Sequence, residues 1–270
     1  MGALRGGEMQ RSTIFRAAAI STVLLTACGG GSDSPAPAPV PAPAPAPAPP
    51  PPAGTAEGLY LGTTNTNRTV NGIVLDDGSF YVLYSTVANP VVIAGVVQGN
   101  GTSMNGSFSS TNARDFNLEG LGVLPGTVSA SYNSRQSLNG SISYNSGGTT
   151  TFTSTFNAAY DTVPTLAAIS GTYAGQVAFS QGVENANVTI SPTGTLSGTG
   201  ASGCTVSGNV VPRTQGNVYN LTLTFGGAPC FFANQTMTGV AYYDSVAKRV
   251  YGATPTAART DGILFVGVKP

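Results

Sequence analysis

From Glu57 to Pro270, apolar and polar residues alternate in short runs punctuated by Gly and Asn. That two-residue period is the mark of half-buried β-strands. The cleanest run is Tyr219-Asn220-Leu221-Thr222-Leu223-Thr224-Phe225, apolar at every second position. Val128, Ala130 and Tyr132, then Leu138, Gly140, Ile142 and Tyr144, repeat the pattern. Asn71-Gly72, Asp77-Gly78, Asn100-Gly101, Asn105-Gly106, Asn139-Gly140 and Asp261-Gly262 break the runs. Both residue types tolerate positive φ, so these pairs are candidates for tight turns, or for bulges inside strands. No run sustains a helical period, and the fold class that follows is all-β.

The strand pattern occurs twice. Gly58-Leu59-Tyr60-Leu61-Gly62 opens one half, and Gly171-Thr172-Tyr173-Ala174-Gly175 follows 113 residues later. Thirty-five residues beyond each Tyr stands a glycine, Gly95 and Gly208. Tyr132-Asn133-Ser134 has its counterpart in Tyr243-Asp244-Ser245, and each half ends in an aromatic strand, Phe152 to Phe156 and Ile263 to Val268. Four landmarks at matched spacing read as a duplication, with the boundary near Asp161-Thr162-Val163-Pro164, where proline interrupts the pattern. The domain plan is then 1–27, 28–56, 57–163 and 164–270, the last two being tandem β-domains. Each has about eight strands, enough for a small up-and-down barrel or a two-sheet sandwich. A single barrel of about sixteen strands is the formal alternative. Closure would also remove exposed sheet edges.

The first 56 residues are built differently. Arg11 and Arg16 precede an apolar stretch from Ala17 to Leu25, and Thr26-Ala27 supply small residues before Cys28. The apolar run falls short of the roughly 20 residues a membrane-spanning helix needs. It has the parts of an export signal, and Met9 to Cys28 is already complete as one. Residues 35–53 read Pro-Ala-Pro-Ala almost without interruption; proline removes donors and fixes φ, so polyproline II is expected. At ~3.1 Å per residue, about eighteen such residues reach on the order of 55 Å. This is a spacer.

On Leu25-Thr26-Ala27-Cys28 and the Gly-rich segment after it, the chain resembles bacterial lipoproteins as a class, over residues 1 to about 34. The resemblance implies cleavage before Cys28, a diacylglycerol thioether on its sulfur and an acyl group on its amine. Buried chains contribute about 0.8 kcal/mol per methylene, so several chains on one cysteine hold permanently. Gly29 stands where inner-membrane members often carry Asp, which implies the outer membrane, leaflet undetermined. The body, on its Gly-x-Tyr-x-Gly openings and Gly203-Cys204-Thr205, is similar to surface-type β-rich lipoproteins of Gram-negative bacteria. Lipidated barrel proteins that capture host transport or complement proteins have a similar plan, an analogy without a shared motif.

Charge and composition narrow the function. Charged residues are 8% of the chain and glycines number 36. Beyond Cys28 eight Lys/Arg face ten Asp/Glu, with no basic patch, so nucleic-acid binding has no electrostatic basis. The chain has no histidine. That removes the usual general base, the usual serine triad and most zinc sites. With Cys28 used by lipid, Cys204 and Cys230 are an even pair in an oxidising compartment and are expected to form a disulfide. Closing their 26-residue loop would stabilise the fold by roughly 3.5 kcal/mol on the chain-entropy model.

The remaining candidates read as structural. Asp76-Asp77-Gly78-Ser79 lacks the alternating acids of a calcium loop and fits a hairpin turn. Asp115 and Glu119 could be a paired acid and base, but four residues apart in a β region they are expected in a solvated loop. Lys248 adjoins Arg249 on an expected hairpin turn, where it is charged and no base. Tyr81, Tyr84, Tyr242, Tyr243 and Tyr251 are amphipathic surfaces suited to a sugar or a protein. Within Tyr81/Tyr84 and Tyr242/Tyr243 the two rings lie on opposite faces, so at least one of each pair belongs to the core. Phe231-Phe232 is expected to pack around the disulfide.

The expectation is a non-enzymatic lipoprotein, anchored in the outer membrane through acyl chains on Cys28. Its role would be binding or scaffolding, with a protein or glycan partner, no nucleic acid and no cofactor or metal. The alternatives are a lipocalin-like carrier of a small apolar ligand, which a wide interior cavity would favour, and an inhibitor of a cell-wall hydrolase, which would need a protruding loop. Gly198 to Gly203 is the nearest candidate for such a loop.

Overall fold

A computed structural model describes residues 54–270; the signal segment, Cys28 and the Pro/Ala tether lie outside the described residues. The first half contributes β1 (Gly58–Thr64), β2 (Thr69–Val74), β3 (Ser79–Thr86), β4 (Asn89–Asn100), β5 (Thr102–Met104), β6 (Ser107–Asn117), β7 (Gly122–Asn133), β8 (Ser137–Tyr144) and β9 (Thr149–Phe156). Neighbours in sequence pair antiparallel, and β1 pairs with β9 from Tyr60↔Phe156 to Thr64↔Phe152. β4 pairs directly with β6, which closes the wall and leaves short β5 as a side hairpin on β6. The result is an eight-stranded up-and-down barrel.

The second half contributes β10 (Gly171–Phe179), β11 (Gly182–Ile190), β12 (Thr195–Gly200), β13 (Thr205–Pro212), β14 (Tyr219–Phe225), β15 (Thr236–Asp244), β16 (Arg249–Pro255) and β17 (Gly262–Val268). They form a second closed barrel, sealed by β10 against β17. The run Tyr219–Phe225 is β14, with its alternate apolar side chains buried as the period predicts. Each pair of repeat landmarks falls on the same ordinal strand of its barrel: Tyr60 and Tyr173 on the first, Gly95 and Gly208 on the fourth, Tyr132 and Tyr243 on the sixth. Both first-strand tyrosines bury their rings and donate back to the segment before the strand, Tyr60 to the Glu57 carbonyl and Tyr173 to the Ile169 carbonyl.

Not every Asn-Gly pair turns the chain. Asn105-Gly106 does, with φ of 50° and 80° at the tip of the β5–β6 hairpin, and Asp77-Gly78 links β2 to β3. Asn71-Gly72 instead lies inside β2 and Asn139-Gly140 inside β8. At Gly140 a Cβ would come within 2.3 Å of the Ser129 carbonyl on the neighbouring strand, so the glycine serves close packing and no turn.

The barrels are not beads on a string; both belong to one compact unit. Outward-facing Leu59, Ile73, Tyr81 and Leu83 of the first pack with Val218, Val240, Ala253 and Leu264 of the second in one apolar cluster. A 3-10 turn at Ala158–Asp161 in the connector adds Tyr160 to it. Around this patch Arg213 pairs with Asp76 at 2.5 Å and Asp77 at 3.3 Å, and Arg259 donates to the Gln98 carbonyl at 2.7 Å. The Asp76-Asp77 turn therefore spends its charge on the neighbouring barrel. The same packing explains the tyrosines. Tyr84 points into its own barrel and Tyr81 into the shared cluster, so both are core. Likewise Tyr243 lies inside against Tyr173, while Tyr242 stacks on Tyr251 outside and joins the shared cluster.

Candidate functional site: the lumen of the first barrel

The two barrels end differently. In the second, a helical turn α1 (Leu166–Ile169) plugs one end, with Ile169 fully buried. At the other end Cys204, just before β13, is disulfide-bonded to Cys230, just after β14. The bond ties two connections that meet under an aromatic cap, where Phe231 stacks on Phe179 at 5.4 Å and Phe232 packs edge-on at 6.3 Å. Phe232 is buried and Phe231 half exposed, so the pair both packs around the disulfide and covers the mouth. What remains inside is an apolar space of about 280 Å³. Its one bordering acid, Glu184, is held by the backbone N–H and hydroxyl of Ser202. The segment Gly198 to Gly203 is the end of β12 and this tied turn, so it does not protrude as an inhibitory loop would.

The first barrel holds the larger space. Its far end is closed by the entering chain: Ala56 is fully buried and its N–H donates to Ser103 Oγ at 3.0 Å. Phe80 and Phe108 meet edge-to-face and belong to the apolar core of this barrel. Above them lies a cavity of about 590 Å³ lined largely by aliphatic and aromatic side chains. It is bordered by residues of the four turns at the opposite end, including Thr66, Val87, Leu121 and Gly147.

Just inside those turns sits a polar belt. Asp115, only 3% exposed, accepts the Tyr84 hydroxyl on Oδ1 at 2.7 Å and the Tyr144 hydroxyl on Oδ2 at 2.9 Å. Asn117 Nδ2 donates to the Tyr84 oxygen at 3.1 Å, while Asn117 Oδ1 accepts from the N–H groups of Glu119 and Leu121 and so shapes the β6–β7 turn. Room for the Tyr84 hydroxyl comes from Gly95 on the paired strand, where a Cβ would lie 2.3 Å from it. At the rim Arg68 pairs with Glu119 at 2.7 Å and donates to the Ser85 carbonyl at 2.9 Å.

Burial pushes the Asp115 carboxyl above its ordinary value, with the two tyrosine hydroxyls working against the shift. Tyr84 and Tyr144 are pushed up by burial and by the carboxylate charge beside them. Hydrogen bonding to Glu119 raises Arg68. Tyr60, deeper in the same lumen, is pushed up to about 12 by burial.

The placement of Asp115 corrects the solvated-loop expectation, and the cause is a β-bulge. On β6, Phe108 and Ser110 point inward, so strict alternation would send 112, 114 and 116 inward too. The register against β7 slips between Ser110 and Ala113. Asn112 sits at the slip, accepting the Asn100 N–H at 2.9 Å and the Ser110 hydroxyl at 3.2 Å. Beyond it the inward parity is odd, and Ala113 and Asp115 are buried. Glu119 borders the same cavity but is committed to Arg68, so the pair does not act as acid and base on one bond. Tyr144 and Arg68 carried no distinguishing signal in the sequence, since their partners lie 29 and 51 residues away. Among the described residues no three metal-ligating acids, cysteines or histidines converge, and no helix is long and apolar enough to cross a membrane.

No protein-family model matches this chain, and no curated protein matches it. Solved structures with some likeness include the isotype 1 transferrin binding protein B of serogroup B Neisseria meningitidis. It is 9% identical, over 75% of this chain and 65% of that one, with a TM-score of 0.29. This chain thus spans about 65% of that protein's length. A candidate outer membrane protein of Bacteroides fragilis NCTC 9343 is 17% identical, over 80% of this chain and 97% of that one, with a TM-score of 0.24. Intact Ap-TbpB, with its N and C lobes, is 9% identical, over 80% and 77% of the two chains, with a TM-score of 0.26.

Proposed function

We propose that this chain is an outer-membrane lipoprotein, anchored through acyl chains on Cys28, whose role is non-enzymatic binding and whose first barrel carries a small, largely apolar ligand. The observation that carries this reading is the cavity of about 590 Å³ in the first barrel, open at one end and plugged at the other. Its size lies within the roughly 300–1,000 Å³ range of small-molecule sites. Its walls are apolar with a few converging polar groups, the composition that such sites share. The second barrel, with the smaller space, serves as a partner in packing. A second reading, a protein or glycan seated on the rim, is favoured by the exposed Val87, Val91, Val92 and Leu121 on or beside the mouth turns.

The test is titration of the mature protein with an apolar fluorescent probe, N-phenylnaphthylamine. One saturable site is expected. Val128→Trp, which fills the first lumen, should abolish it, whereas Val206→Trp in the second barrel should not. Absence of saturable binding to the unaltered protein would overturn the carrier reading in favour of the rim.

A further inference from the structure

We infer that the ligand of the first barrel is an amine-headed amphiphile, its cation held by Asp115 between Tyr84 and Tyr144 and its apolar body lying deeper among Val74, Phe80, Phe108 and Val128. This rests on the carrier reading above and goes further, to the chemistry of the head group. Three charged side chains border the cavity: Arg68, Asp115 and Glu119. Arg68 and Glu119 neutralise each other at the rim, and Arg68 spends a further donor on the Ser85 carbonyl. Asp115 has no salt-bridge partner within 4.0 Å among the described residues, so its carboxyl borders the lumen without a paired cation.

The hydroxyls around that charge set its polarity as a site. Tyr84 and Tyr144 both direct their protons to the carboxylate, one to each oxygen. What they leave toward a ligand is acceptor capacity, the second lone pairs of the carboxylate. The Tyr84 oxygen already accepts from Asn117. A ligand donor is therefore matched and a ligand carboxylate is repelled. A buried charge left without a counter-ion is costly, and an incoming ammonium supplies one in a setting where water competes weakly. The belt lies two residues inside the ends of β3 and β6, so the head group stops near the mouth while the tail fills the apolar depth.

The experiment compares three ligands of one chain length, decylamine, decanol and decanoate, by calorimetric titration of the mature protein below their micelle concentrations. Decylamine should bind about tenfold or more tighter than decanol, the worth of a charge-assisted hydrogen bond, and decanoate weakest. In Asp115→Asn the amine preference over decanol should vanish while decanol affinity is kept, which also reports that the lumen is folded. Equal or tighter binding of decanol or decanoate to the unaltered protein overturns the inference, whatever becomes of the variant. Persistence of the amine preference in Asp115→Asn overturns it as well. If none of the three binds, the carrier reading itself fails, an outcome distinct from a wrong head group.

Discussion

Asp115 is an acid buried in a barrel wall, and its linkage to stability has a definite sign. Its carboxyl is raised in the folded state, so the protonated form is the one folding favours. Its contribution is therefore fully present below the unfolded value of 3.8 and lost as pH rises through the folded value. Urea unfolding of the unaltered protein and Asp115→Asn across this range should show the unaltered protein losing ground to the variant as pH increases. A gap that stays constant with pH would mean that Asp115 is as solvated folded as unfolded. The tyrosines give the complementary alkaline prediction. Tyr60 and Tyr242 are each pushed from 10.0 to about 12 by burial, so their neutral forms stabilise the fold below pH 10.0 and that contribution is lost between pH 10.0 and about 12. Phenolate absorbance should accordingly rise together with loss of β-sheet circular dichroism over that window.

At the scale of elements, one extra residue in β6 decides where the acid points. The bulge is stitched by Asn112 to Ser110 and to the end of β4. Asn112→Ala should lower stability by about 1 kcal/mol, the usual net worth of such a hydrogen bond, and weaken retention of an amine probe more than of an alcohol. The disulfide acts on a different element pair, tying the β12–β13 turn to the loop after β14. The double variant Cys204→Ser/Cys230→Ser should lose roughly 3.5 kcal/mol in urea unfolding on the loop-entropy model. Its loss should leave probe binding in the first barrel unchanged, because the bond lies wholly in the second.

For the whole molecule the consequence of the shared cluster is cooperativity. Leu264 is 4% exposed and faces the first barrel through that cluster. Leu264→Asp buries an unpaired charge there, at a cost of several kcal/mol. Calorimetry should then show a single unfolding transition dividing into two. A single transition in both proteins would mean that the barrels are coupled by other means. The anchor belongs to this scale too. Fractionation of cells carrying Cys28→Ser should find the chain in the soluble fraction, and a membrane-bound variant would remove the lipid attachment from the proposed function.

What the chain's own pattern determined was strand content and order. The period-two runs, the turn pairs at Asp77-Gly78 and Asn105-Gly106, and the eight barrel-wall strands of each half follow from local alternation and local φ preference, and a sheet of such strands closes because open edges are unfavourable. The proximity of Cys204 and Cys230 was legible as well, since each flanks a strand that the alternation marks. Tertiary structure alone decided which side of β6 carries Asp115, because alternation cannot register an inserted residue whose stabilising contacts come from β4 and β7. It alone decided that Tyr81 and Leu83 are as buried as Tyr84: their outward face meets a second barrel more than 100 residues away in sequence. Burial by a distant surface leaves no period in the chain, so the lumen's charge and the union of the barrels appear only once the strands have closed and packed.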